Sequence, residues 1–246
     1  MSVSPNRNII IVGVGSSMSR SLAMWLARLG WNIALISRTE KSLASIAEEV
    51  RYAGPDKNTA NVVHHTADAG DPASLTSALD WCLQQLGGTL DVLSYNAARV
   101  AESSVADLTP EALELDFRVS AVGTLVAGQW FRGHARVEAV SRGEWPLFLV
   151  TGGVLDKHPD PSVASLSIAK AASQTVSRIF AQVLPGDAQI LVGMPLVTGR
   201  TVDPSTGEYY EQYRPDKIIQ ALFRPFFEER EQRPNGAEGW LVERYL

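Results

Sequence analysis

The sequence predicts an α/β fold with a doubly wound parallel sheet, on three observations. Short Ile/Val/Leu-rich runs alternate with longer amphipathic stretches along the whole chain. Most of the short runs are continuously apolar rather than alternating, as strands buried on both faces are. The first run ends in a glycine turn, Val12-Gly13-Val14-Gly15-Ser16-Ser17-Met18-Ser19, that opens straight into a helical pattern. Right-handed crossovers between successive strands then give a sheet of about seven strands with helices on both faces. Ligands of such sheets bind outside the carboxyl ends of the strands.

The elements follow in order. Residues 8–12 (Asn-Ile-Ile-Ile-Val) form the first strand, and 18–29 a helix with Leu22, Trp25, Leu26 and Leu29 on one face, stopped by Gly30. Residues 33–37 are the second strand. Leu43, Ile46, Ala47 and Val50 mark the second helix, closed by Gly54-Pro55. The third strand is 61–66; Asp71-Pro72 opens a helix that ends at Gly87-Gly88, and 90–95 is the fourth strand. Thr109 caps a long helix over 110–140, with Pro110 at its first position. Residues 147–150 are the fifth strand, 163–183 a helix and 190–192 the sixth strand; a helix near 215–231 and a strand near 240–245 complete the chain. No Pro/Gly/Ser-rich break separates two cores, so 1–246 reads as one domain, with a substrate-covering segment near 198–214.

Composition narrows the function. At 246 residues, 45% hydrophobic, 20% charged and net charge −5, the chain reads as an ordinary globular domain. No dense Lys/Arg run suggests a nucleic-acid partner, and no apolar run is long enough to span a bilayer. The start, through Ser4, Pro5 and Arg7, lacks a secretory leader pattern, so the expected location is the cytoplasm. Cys82 is the single cysteine and reads as a packing residue. His64 and His65 are adjacent in a strand and point to opposite faces, and no metal-ligand spacing occurs elsewhere. Ser167 has no obvious His/Asp partner for a hydrolase triad.

The glycine turn carries the first chemical signal. A turn of this kind sets backbone N–H groups and a helix N-terminus against a pyrophosphate. Ser17 and Ser19 stand where later glycines are usual; small hydroxyl residues still permit close approach, and they also make ordinary helix caps. The second signal is Ile36-Ser37-Arg38-Thr39 at the end of the second strand. An acidic residue here would bind a ribose 2′-hydroxyl, whereas Arg38, also readable as a solvated residue before a helix, suits a 2′-phosphate with help from Ser37 or Thr39. The expected cofactor is therefore NADP(H).

With these landmarks the chain resembles the short-chain dehydrogenase/reductase family over nearly its whole length, which implies a Rossmann fold. Asp68 in Thr-Ala-Asp-Ala-Gly-Asp is similar to the family's acidic residue beside the adenine ring. Tyr95-Asn96-Ala97-Ala98 resembles its Asn-Asn-Ala-Gly segment, and Lys170 its ribose-binding lysine. Pro195-Leu196-Val197-Thr198 resembles the loop flanking the nicotinamide. The resemblance implies cofactor contacts from Gly13, Gly15, Ser16, Ser17, Met18, Ser19, Arg38, Asp68, Asn96, Ala97, Lys170, Pro195, Val197 and Thr198. It also implies a homodimer or homotetramer paired through the helices at 110–140 and 163–183, with Trp130, Phe131, Ile168, Val176 and Phe180 among the apolar residues they offer.

The departures concern catalysis. The family's catalytic asparagine falls on Ser120, its serine on Gly153 or Gly152, and its tyrosine on Leu166; Lys170 alone matches. A positioned general acid typically supplies ~10²–10⁴-fold, or roughly 3–5 kcal/mol. Ketone reduction through a developing alkoxide would lose that. Reduction of an iminium or another cationic carbon would not, nor would a redox-neutral isomerisation or cyclisation. Substitute acids are Asp156, His158 and Asp160 after the fifth strand, Tyr209 and Tyr210 in the covering segment, and Arg99 after the fourth strand, each also readable as a solvated loop residue. The expectation is an atypical NADPH-dependent reductase acting on a small molecule, with a redox-neutral isomerase or cyclase, or a non-catalytic NADP(H)-binding protein, as alternatives.

Overall fold

A computed structural model describes residues 7–55, 61–231, 233 and 236–246. Ser4 and Pro5, on which the absence of a leader was read, lie outside them. The sheet contains β1 (Asn8–Val12), β2 (Asn32–Ser37), β3 (Val62–Thr66), β4 (Val92–Tyr95), β5 (Leu147–Val150), β6 (Gly152–Gly153), β7 (Leu191–Val197) and β8 (Glu243–Tyr245). All its pairings are parallel, in the order β3-β2-β1-β4-β5-β7, with β8 on the outer side of β7. The two residues of β6 continue β5 against the upper half of β7, in one register: Leu149 faces Gly193 and Gly152 faces Leu196. Seven strand positions result, as the sequence predicts. The β5–β7 pairing lapses opposite Pro195, which has no N–H to give.

Helices cover both faces. α1 (Met18–Arg28) and α2 (Glu40–Tyr52) pack on one side with the C-terminal helix; α3 (Pro72–Gln85), α5 (Gly123–His134) and α6 (Ala164–Ala188) pack on the other. Successive residues of β1 feed different layers: Ile9 and Ile11 meet Leu22 and Leu26, while Ile10 and Val12 meet Leu79 and Phe131. That division is why the strand is continuously apolar. The capping signals act as read. Asp71 accepts from the N–H groups of Ala73 (2.9 Å) and Ser74 (3.3 Å). Thr109 accepts from Ala112 at 3.2 Å, at the start of α4 (Pro110–Phe117).

Some boundaries differ from the sequence reading. The helix expected over 110–140 is α4 and α5 joined by a π-helical turn, Arg118–Val122. The Tyr95 hydroxyl donates to the Val119 carbonyl inside this turn and fills the space where a side chain on residue 123 would go, so residue 123 is glycine. α5 ends at His134 and a 3₁₀ turn, Val137–Arg142, follows. α6 runs past Pro185 to Ala188, because Gln189 closes it in the left-handed region (φ 54°). The C-terminal helix is α7 (Pro215–Ile218) and α8 (Arg224–Arg230) joined by a second π turn, Ile219–Phe223. β8 is shorter than expected because Trp240 turns its indole N–H onto the Val192 carbonyl at 2.7 Å.

Trp130 and Phe131, readable as core or as subunit contacts, are core residues of this chain, 7% and 0% exposed. The Trp130 indole donates to Asp80 at 2.7 Å. Cys82 is buried, and desolvation pushes its thiol up to about 12, as suits a packing residue. The two histidines diverge as expected: His64 reaches Glu40 on α2 at 3.1 Å, and His65 stacks on Trp81 of α3.

Candidate functional site

β1 lies between β2 and β4, so the chain leaves β1 in one direction and later returns on its other side. The crevice at this switch point, beyond the carboxyl ends of β1 and β4, is the expected ligand site. It holds a cleft of about 240 Å³ lined by Gly13, Gly15, Ser37, Arg38, Thr39, Asp68, Asn96 and Ala97, among others. Residues scattered over 85 positions in the sequence are thus brought to one opening, and a second cavity of about 620 Å³ continues it past Arg38 and Asp68 to Arg99 and Arg118.

Each lining group is placed by a backbone rule. Gly13 has φ +84°, and a Cβ there would lie 2.7 Å from the Asn96 carbonyl carbon and closer still to Ala97. Only glycine lets the turn pass this near the end of β4. The N–H groups of Gly13 and Val14 both donate to the Ile36 carbonyl, at 2.9 and 3.0 Å, which closes the turn against β2. Asp68 follows β3 and accepts from the Gly70 N–H at 2.9 Å. Arg38 is exposed and makes no ion pair among the described residues.

A chain of hydrogen bonds links this opening to Lys170. Ser19 donates to the Gly13 carbonyl (3.1 Å) and Asn96 Nδ2 to Ser19 Oγ (3.1 Å). Thr151 Oγ1 donates to Asn96 Oδ1. These partners fix the Asn96 amide with its NH₂ toward the glycine turn. β4 ends at Tyr95, so the ladder brings nothing to the Thr151 carbonyl, and Lys170 Nζ donates to it at 2.9 Å. Lys170 is 9% exposed, and desolvation lowers its pKa from 10.5 to about 8. The Tyr95 phenol is raised above its ordinary range by burial and then by the Asp68 charge.

The other sequence candidates fall in several places. Leu166 is buried at 8% exposure, one helical turn before Lys170. Ser120 is fully buried in the π turn; its carbonyl accepts from Thr124 Oγ1 at 2.6 Å and its hydroxyl has no partner. Asp156 is held by Arg178 at 2.7 Å, and Arg178 also binds Glu243 at 2.6 Å. His158 is exposed in its loop. Asp160 is tied to Ser162 Oγ at 2.7 Å, which with the Ser162 N–H holds its carboxyl below the usual range. Arg99 pairs with Asp116 at 3.3 Å. The Tyr209 hydroxyl donates to Ser17 Oγ at 2.9 Å, beside the glycine turn. Ser16 and Met18 lie on that turn, one exposed and one half-buried. Pro195 and Val197 are buried in β7, and Thr198 Oγ1 donates to the Leu246 carbonyl at 2.6 Å. Thr151, the joint of the hydrogen-bond chain, was missed from sequence; the available signal was a hydroxyl residue directly at the carboxyl end of a central strand.

The short chain dehydrogenase family matches residues 7–143, and the chain belongs to it. Among curated relatives, a versicolorin reductase of Emericella nidulans is 25% identical over 184 residues, 74% of this chain and 65% of that protein. A very-long-chain 3-oxoacyl-CoA reductase of Aspergillus clavatus is 27% identical over 168 residues, 67% of this chain and 46% of that protein. The chain thus spans less than two thirds of these relatives. An alcohol dehydrogenase of Thermococcus sibiricus, complexed with 5-hydroxy-NADP, superposes with TM-score 0.76 at 20% identity over 98% of this chain and 95% of its own. A short-chain dehydrogenase/reductase of Burkholderia phymatum in complex with NAD superposes with TM-score 0.76 at 16% identity, covering 95% and 90%. These likenesses bear out the fold. No helix among the described residues is long and apolar enough to cross a membrane.

Proposed function

We propose that the chain is an NADP(H)-dependent reductase of small molecules in the cytoplasm, acting on an activated carbon such as an iminium without a tyrosine proton relay. Bound at the switch point, such a cofactor supplies or accepts a hydride. The cleft suits it: the Gly13 cradle is one a Cβ would fill, and the donors around it are hydroxyls, peptide N–H groups and Arg38. Arg38 holds the 2′-phosphate, with Ser37 and Thr39 beside it. Asp68 and Ala97 flank the adenine end, and Gly15, Ser16, Ser17, Met18 and Ser19 receive the pyrophosphate. Asn96 and Lys170 orient the ribose, and Pro195, Val197 and Thr198 border the nicotinamide. Two of the relatives are named as reductases.

The observation that carries the reading is Leu166, buried one turn before a desolvated Lys170 where the family's phenol belongs. Of the substitute acids, Asp156 is engaged by a guanidinium and Tyr209 by Ser17. A cationic acceptor carbon makes no alkoxide and so calls for no acid. The same gap favours a redox-neutral isomerase or cyclase as the second reading.

The test is titration with NADPH and NADH, then steady-state oxidation of NADPH with cyclic imines and with simple ketones. Arg38→Ala should weaken NADPH by about tenfold to a hundredfold, as loss of a charge-assisted phosphate contact does, and leave NADH unchanged. Equal affinities in the parent overturn the cofactor assignment. Efficient ketone turnover would overturn the missing-acid argument and direct mutation to Asp156, His158, Tyr209 and Ser120. Tight NADPH binding with no oxidation on either substrate class supports the redox-neutral or the non-catalytic reading.

The proposed assembly is a homodimer or homotetramer. Leu115, Phe117, Leu125, Ile168, Ile179 and Val183, on α4, α5 and α6, are exposed apolar side chains, between 40% and 55% accessible. Ile179→Glu is expected to shift light scattering at micromolar concentration from oligomer toward monomer. A monomeric parent protein would remove the proposal.

A further inference from the structure

Residues 201–210 fold back on themselves. Val202 and Tyr209 pair antiparallel, the Asp203 N–H donates to the Glu208 carbonyl at 2.8 Å, and the Tyr210 N–H to Thr201 at 3.1 Å. The two feet of this excursion meet: Thr198 Oγ1 lies 3.1 Å from the Tyr213 hydroxyl, whose ring packs against Gly199. The segment is a small closed unit standing on one edge. Its far side reaches the glycine turn through the 2.9 Å bond from the Tyr209 hydroxyl to Ser17 Oγ.

That contact falls at a turn whose nearest cation is already paired. Ser17 is the N-cap residue of α1, an 11-residue helix, yet its side chain caps no backbone N–H. The hydroxyl is turned to Tyr209 instead, and because it accepts there, its own hydrogen stays available. The nearest cation on the turn, Arg20, is engaged by Glu49 at 3.0 Å. A pyrophosphate has acceptors only, so this turn must bind it with N–H groups and hydroxyls.

We propose that Tyr209 is a phosphate ligand carried by the covering segment: when the dinucleotide binds, its hydroxyl gives up Ser17 Oγ and donates its one hydrogen to the pyrophosphate, beside the Ser17 hydroxyl, holding residues 201–210 over it. This rests on the cofactor reading above and makes occupancy of the cleft and position of the segment one equilibrium.

Tyr209→Phe keeps the ring and deletes the donor. NADPH affinity should fall about tenfold, while affinity for adenosine 2′-monophosphate, which carries the 2′-phosphate but no pyrophosphate, should change less than about twofold. Arg200, followed by Thr201, lies at one foot of the segment and gives a second readout: NADPH should slow tryptic cleavage after it in the parent and not in Tyr209→Phe, with thermal melts of the two proteins coinciding. Unchanged NADPH affinity and unchanged protection overturn the proposal, as does an equal loss for adenosine 2′-monophosphate, which would mark Tyr209 as a support of the whole cleft. A parent that binds adenosine 2′-monophosphate but not NADPH overturns it as well. A parent that binds neither ligand removes the cofactor reading first, and this assignment with it.

Discussion

Gly13→Ala is expected to destabilise the protein by about 2–5 kcal/mol, from a left-handed residue made to carry a Cβ together with overpacking against β4. The added carbon has φ +84° to contend with and stands 2.7 Å from the Asn96 carbonyl carbon. The neighbours are backbone atoms of Asn96 and Ala97, just beyond β4, which cannot turn aside as a side chain can. For a chain of this size the melting temperature should fall by roughly 4–20 °C. Gly15→Ala is the internal control. Nothing lies within 4 Å of its added carbon, so the change should stay within about 0.5 kcal/mol. A Gly13→Ala protein that melts with the parent would show that the ends of β1 and β4 separate easily, and the tight cradle would no longer explain the cleft.

Lys170→Met should raise stability near neutral pH while weakening the cofactor. Burial lowers the Lys170 pKa from 10.5 to about 8. Below pH 8 both folded and unfolded chains hold the proton, and the folded chain bears the full desolvation cost, about 3 kcal/mol for a shift of this size. Between the two values the unfolded chain holds more protons, so the parent's stability rises with pH, and above 10.5 the cost is gone. Methionine removes this cost but leaves the Thr151 carbonyl without its donor, which opposes the gain by about 1–3 kcal/mol. The net gain at pH 7 is on the order of 1 kcal/mol; it should shrink through pH 8–10 and reverse in sign. NADPH binding should weaken about tenfold or more, the value of a hydrogen bond from a charged group. Urea titrations of both proteins across this pH range decide it; parallel curves would mean that Lys170 is not desolvated in solution.

The fold was legible because its signals are local. Continuous apolar runs, Asp71-Pro72, Thr109-Pro110 and the turn at Gly13 each act over a few residues, and each appears where read. The break at residues 118–122 was not legible, because its partner is Tyr95, far away in sequence, and a π turn has no composition of its own. The residues that line the cleft at the glycine turn were readable because a strand-turn-helix junction brings them together. Thr151 was not, since its value lies in joining Asn96 to Lys170 across the ends of two strands. Trp130 and Phe131 stayed open between core and subunit contact for a related reason: apolar residues on a long helix look alike from the sequence whether they face the sheet or another subunit.

The all-parallel sheet also sets how the protein reaches its native state. Among the described residues no two neighbouring strands are joined by a hairpin; Ile9 must find Ile33 and Val92, and Leu196 must find Tyr245. Loop-closure entropy is therefore lost before each pairing returns anything, and such topologies refold slowly, exposing strand edges meanwhile. The end of β7 and Thr198 gain their last backbone partner only when residues 243–246 arrive, through Leu246 to Thr198. In refolding from denaturant, burial of the central strands should precede recovery of ligand binding, the two separating in time.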